Sequence, residues 1–277
     1  MKYLIDIFKN HRWSLLKIYF YMLLAHSVFL CEPYILGKMI DGLLHQNYNW
    51  LYIFLGVEVF ANFFIYRRMV FDTKVYTTIY NKMMMEYIKN DKTSNCSSTI
   101  ARTDMGQQVV NFLENDIQYL IMSFVSIVGA LFFILTNNFL TGVLLVSSFI
   151  PISFIVFIFY KKIAKSTRVG NSHYEDKVTI FTSGDIDNIE TFLKRRKKII
   201  TFKSTLQAKN WVSLNVVKTI FLVGALFLYT HNNVNLTQGQ TLAIYAYINQ
   251  FLISLMSIPI AVEIYSRIKD IIKRLQI

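Results

Sequence analysis

Residues 120–160 read LIMSFVSIVGALFFILTNNFLTGVLLVSSFIPISFIVFIFY, two apolar runs divided by Asn137-Asn138. A helix needs about 20 mostly apolar residues to cross a hydrocarbon core of about 30 Å. Leu120–Thr136 and Phe139–Tyr160 each come close to that length, so they read as neighbouring antiparallel spans. Working outward, four more such runs occur: Ser14–Leu36, Trp50–Phe71, Trp211–Thr230 and Leu242–Ile264. The expected fold class is an all-α membrane protein with six transmembrane helices, a single domain over residues 1–277. Composition agrees with this. The chain is 54% hydrophobic and 17% charged, whereas soluble domains average about 25% charged residues. A mean hydropathy of +0.38 excludes disorder and argues against a water-soluble globule. The first run is too long for a cleaved signal peptide and lacks a small-residue cleavage site after it. Two cysteines exclude a disulfide-stapled scaffold.

A net charge of +12 invites a nucleic-acid reading. The placement of the basic residues removes it. Residues 1–17 hold four Lys and Arg, Arg67–Arg102 seven, Lys161–Lys209 twelve and the tail four, so alternate intervals carry 27 of the 29. Lys38 is alone in the first loop, Lys218 lies within the fifth run, and the loops at 137–138 and 230–241 hold none. Cytoplasmic loops are enriched in Lys and Arg. Both termini and the two long connections are therefore expected in the cytoplasm of a multi-pass plasma (inner) membrane protein. Adding or losing one span would put a basic interval on the wrong side.

The long connections, about Asp72–Gln118 and Lys161–Asn210, are poor in Gly and Pro. Val75, Ile79, Met83 and Tyr87 recur every four residues with Lys74, Lys82, Glu86 and Lys89 between them, an amphipathic helix continuing the second run. From Trp50 to Asn90 such a helix would be about 60 Å long. Of Met83-Met84-Met85, only one is expected on the packing stripe. Helix is expected to resume at Glu190–Leu214. Breaker clusters at Asn90–Asn95 and Thr182–Asp185 mark turns far from the membrane. The picture is six helices, four of them prolonged inward as two cytoplasmic hairpins.

Four segments then resemble the transmembrane domain of ABC exporters. Pro33, Gly37 and Asp41 follow a Pro-x3-Gly-x3-Asp pattern at the outer end of helix 1. Thr103-Asp104-Met105-Gly106, with Asp116 ten residues after Gly106, resembles the re-entry to helix 3 after a first coupling helix. Leu236-Thr237-Gln238-Gly239 resembles the entry to helix 6, and Ser257-Ile258-Pro259-Ile260 the proline within it. Ser183-Gly184-Asp185-Ile186 resembles the second coupling region. The resemblance covers nearly the whole chain. It implies a dimer whose helices 4 and 5 swap onto the partner protomer, with coupling loops at Asn95, Cys96, Ser97 and Ser98 and at Gly184, Asp185 and Ile186.

An exporter half also carries a nucleotide-binding domain. A phosphate-cradling loop needs Gly-x4-Gly-Lys-Ser/Thr. The one Gly-Lys pair, Gly37-Lys38, has Glu32 at the first glycine position and Met39 after it. No catalytic set, metal-ligand spacing or cofactor motif is read, so the chain is expected not to be an enzyme, and ATP would act through a separate subunit. Ionisable groups inside spans are functional candidates by default. They are Lys218, Glu58, Glu32, Glu263 and His26, the last near Cys31. They could line a substrate cavity, or Glu32 and Glu58 could reach interfacial water while Lys218 pairs with a neighbour such as Glu58. Arg67-Arg68 reads as an interfacial pair and Lys194–Lys198 as a solvated or lipid-facing block.

The expected partners are the bilayer, a second copy and a separate ATPase subunit, and no nucleic acid. Two functions follow: the membrane component of an ABC-type transporter, or an ATPase-free protein keeping the exporter fold for binding, immunity, regulation or passive transport. Polar tips on the hairpins temper the first reading.

Overall fold

The computed structural model describes residues 9–90, 106–233 and 235–275. Among the described residues six helices are long and apolar enough to cross a membrane, and they contain the six runs of the sequence. The helices are α1 (Arg12–Leu44), α2 (Asn49–Asn90), α3 (Ile117–Asn137), α4 (Phe139–Ser147), α5 (Phe149–Thr182), α6 (Ile186–Asn232), α7 (Gln238–Leu255) and α8 (Ser257–Leu275). A π-helical turn, Phe112–Asp116, leads into α3. Spans four and six are each built from two helices, α4 with α5 and α7 with α8.

Both breaks have the same cause. A proline cannot donate to the carbonyl four residues back, and its ring crowds that carbonyl. Pro151 releases Ser147, where α4 ends, and Pro259 releases Leu255, where α7 ends. At the first break the Ser148 hydroxyl donates to the Leu145 carbonyl at 2.6 Å. Pro33 lies within α1, which runs on through it.

The expected helical extensions beyond the apolar runs are present. α2 is a single helix of 42 residues, about 63 Å long. α5 runs unbroken from the membrane to Thr182, and α6 begins at Ile186, four residues before the expected resumption of helix. The turn between them falls within Thr182–Asp185, as read. The other turn, around 91–105, lies outside the described residues.

Two apolar cores hold the bundle. The outer one joins α3, α4, α5, α6 and α7 around Ile134, Leu145, Ile248, Phe251 and Leu255. The inner one joins α1, α2, the segment before α3 and α8 around Ile18, Tyr76, Leu113 and Ile268. The amphipathic stripe of Val75, Ile79 and Met83 belongs to this second core. All three are buried within one chain against Leu15, Val109 and Ile264. Met84 is buried beside Met83 and only Met85 is exposed, so two of the three methionines pack. The cause is that α2 is contacted from two sides here. Spans four and five remain in contact with span six of their own chain, since α5 packs against α6 and α8.

Candidate functional site

The outer end of the molecule is organised by a crossing of α1 and α7. Residues 33, 37 and 41 fall about one turn apart on one face of α1. Asp41 accepts a hydrogen bond from the Thr237 hydroxyl at 2.7 Å and another from the Gly239 backbone N–H at 2.9 Å. Thr237 is the N-cap of α7 and forms a capping box with Gln240. The carboxylate thus sits at the positive end of a helix whose first N–H groups need acceptors. Gly37 and Gly239 let the two backbones touch. A Cβ added to Gly37 would lie 2.5 Å from the Gly239 carbonyl oxygen, and one added to Gly239 would collide with the Gly37 carbonyl oxygen.

Beside this clasp lies a cavity of about 590 Å³. Tyr34 and Lys38 of α1, Asn137 at the end of α3, Tyr229 and Asn233 around the end of α6, and Tyr247 of α7 contribute to its wall. Tyr247 donates to the Leu30 carbonyl at 3.0 Å and stacks on Phe133 with ring centroids 4.7 Å apart. Lys38 holds its ammonium 5.8 Å from the centre of the Tyr34 ring. Sequence reading missed this pocket, because its wall comes from four separated segments. The one available signal is the clustering of Tyr and Asn at the outer ends of spans.

The ionisable residues named inside spans fare differently from one another. His26 is buried and shares a 2.8 Å hydrogen bond with Ser126 of α3, while its ring stacks on Phe29. That is a satisfied interior histidine joining two helices. Glu32 on α1 and Glu58 on α2 are half-buried. Glu263 is engaged from α6: Lys203 reaches it at 2.9 Å, and the Gln207 amide donates to both its oxygens at 3.0 and 3.1 Å. Lys218 is half-buried, and among the described residues no ion pair joins it to Glu58 or any other carboxylate.

At the inner end, Asp116 closes the π-helical turn and pairs with Arg267 of α8 at 2.6 Å. Asp72, Tyr76 and Gln118 are buried polar residues at this end, and the Tyr19 and Tyr76 hydroxyls and the Gln118 amide nitrogen have no hydrogen-bond partner among the described residues. Further out, Asp185 caps α6 by accepting from the Asp187 and Asn188 backbone N–H groups, and Gly184 takes a φ of +69° in the turn before it. Glycine bears such a backbone without strain. Ile186 is 79% exposed and Phe181 44% exposed, so this tip offers more apolar surface than its polar sequence suggests. Asn95, Cys96, Ser97 and Ser98 lie outside the described residues.

The segments noted for their resemblance therefore meet in space. The Pro33–Asp41 and Thr237–Gly239 segments make the outer clasp, and Asp116 meets the helix that follows the Pro259 bend. A family described as the ABC transporter transmembrane region matches residues 4–239. The chain belongs to that family. It is accordingly a multi-pass membrane protein and a membrane component of an ABC-type transporter. No curated protein matches the chain. For an ABC transporter transmembrane region, the family match spans helices α1 to α6 and ends at Gly239, the residue that closes the outer clasp.

Proposed function

We propose that this chain forms the substrate pathway of an ABC-type transporter as a dimer, in the plasma membrane with both termini cytoplasmic, driven by a separate ATPase subunit. The family match over residues 4–239 carries this reading. Three observations support the finer parts of it. The 277 residues contain no Gly-x4-Gly-Lys-Ser/Thr loop to cradle a nucleotide. The tip at Phe181–Ile186 presents apolar side chains on a capped, well-formed turn, suited to seating in a groove of a soluble subunit. Lys218 keeps a half-buried charge in the fifth span with no ion pair among the described residues, as a residue facing a partner protomer or a substrate would.

The test is co-purification and crosslinking. A cysteine at Ile186, in a background without Cys31 and Cys96, is expected to crosslink to a co-expressed nucleotide-binding subunit, and a cysteine at Tyr52 is not. ATP turnover by the isolated chain, or crosslinking from Tyr52 alone, would overturn the reading.

A further inference from the structure

We propose that the outer pocket binds a small amphiphile carrying one anionic group, a carboxylate or phosphate, on a ring or short apolar body. The anionic group sits on Lys38, and the body lies against Tyr34 and the Phe133–Tyr247 stack. This site stands apart from any coupling to an ATPase and needs no second copy.

Size comes first. Ligand pockets are commonly about 300–1,000 Å³, and this one holds about 590 Å³. Charge comes second. Of the 29 Lys and Arg, 27 lie in the intervals read as cytoplasmic and Lys218 lies inside a span, so Lys38 is the one basic residue in an outward interval. A topology rule that clears Lys and Arg from outer loops gives no reason for it to be there. Its ammonium borders the pocket over the Tyr34 ring, half-buried and, among the described residues, outside any ion pair.

Asp41, which also lines the pocket, makes no ion pair with Lys38. Asp41, one turn along the same helix, has each carboxylate oxygen engaged by a donor on α7. An incoming anion is therefore the group that can complete Lys38.

The remaining wall discriminates for an amphiphile. The Asn137 and Asn233 amide nitrogens already donate to the Phe133 and Tyr229 carbonyls. Their amide oxygens are acceptors for a ligand N–H or O–H. The stacked Phe133 and Tyr247 rings, 14° from parallel, supply a flat apolar wall. Such faces favour planar or aliphatic bodies.

The pocket carries its own reporter. Trp50 meets Tyr34 edge-on at 6.2 Å, so Trp13→Phe with Trp211→Phe leaves one tryptophan beside the wall. The purified full chain in phosphatidylcholine nanodiscs is titrated with N-acetyl-tyrosine and with its uncharged amide. A saturable change in Trp50 emission is expected for the acid and not for the amide. Lys38→Met should weaken the response to the acid roughly tenfold or more, the loss of one charge-assisted hydrogen bond. Lys38→Arg should retain it, and both variants should melt as the parent does.

A second arm replaces part of the phosphatidylcholine with phosphatidylglycerol. Competition with the acid would identify a lipid headgroup as the natural source of the anion, and no competition would identify a free carboxylate. Equal binding of acid and amide, unchanged binding by Lys38→Met, or no saturable response in either arm would overturn the proposal.

Discussion

Gly37 and Gly239 meet backbone to backbone where α1 crosses α7, with Asp41 one turn beyond holding the start of α7. Small residues are how helices in a membrane approach closely, since lipid offers no hydrophobic reward for burying large ones. This contact lies in the wall of the outer pocket, because Tyr34 precedes and Lys38 follows Gly37 on α1, and Tyr247 follows Gly239 on α7.

Gly239→Val should destabilise the chain by about 1–3 kcal/mol, the usual cost of overpacking. The added atoms would meet the Gly37 carbonyl and the Asp41 side chain, neither of which can retreat along a flexible tail. Gly56→Val is the control, because nothing lies within 4 Å of a Cβ there. A thermal melt in detergent showing equal shifts for both would refute the tight crossing.

Asp41→Ala and Thr237→Ala should each cost about 0.5–2 kcal/mol, the range for lost helix caps. The two share one hydrogen bond, so the double variant should cost less than the sum of the singles. Additive losses would mean that the clasp does not act as a unit.

Glu263 is held by Lys203 and Gln207, which makes it a strut between α6 and α8 rather than a free cavity charge. The side chains of this pair are 33% and 24% exposed, so Glu263→Gln should cost no more than about 1 kcal/mol. Transport measured in vesicles should survive the change. Loss of transport with an unshifted melt would assign Glu263 to the substrate instead.

Lys218 and Glu58 form no ion pair within the chain, so they should not be thermodynamically coupled there. The Lys218→Met and Glu58→Gln cycle should close to within about 0.5 kcal/mol. Lys218→Met alone should leave stability equal or higher, since an ammonium at mid-membrane depth costs roughly 2.5–3.5 kcal/mol on insertion scales. Retained fold with lost transport would place Lys218 on the substrate path. A clear loss of stability rescued by the second substitution would restore the pair.

Sidedness has its own assay. Single cysteines at Asn138 and Asn233 should react with an impermeant thiol reagent on intact cells, and one at Lys197 should not. Labelling at Lys197 from outside would reverse the orientation argued from the basic intervals.

Six apolar runs, 27 basic residues in alternate intervals and the four-residue stripe along α2 are local features. They determined the span count, the expected sidedness and the long inward helices before any fold was known, because hydropathy and charge act residue by residue. The proline breaks were not legible in the same way, since α1 runs on through Pro33 while helices end four residues before Pro151 and Pro259. What the chain alone did not settle is which face of each span meets protein. Lipid tails are as apolar as leucine, so a buried face and a lipid-facing one carry nearly the same residues. Only tertiary structure could therefore tell that His26 faces Ser126, that Lys203 and Gln207 hold Glu263, and that Val75 and Met83 are covered from within. The same holds for Asp41 and Gly239, 198 positions apart. Their meeting depends on the rotation and crossing of two helices, which no periodicity in either segment encodes.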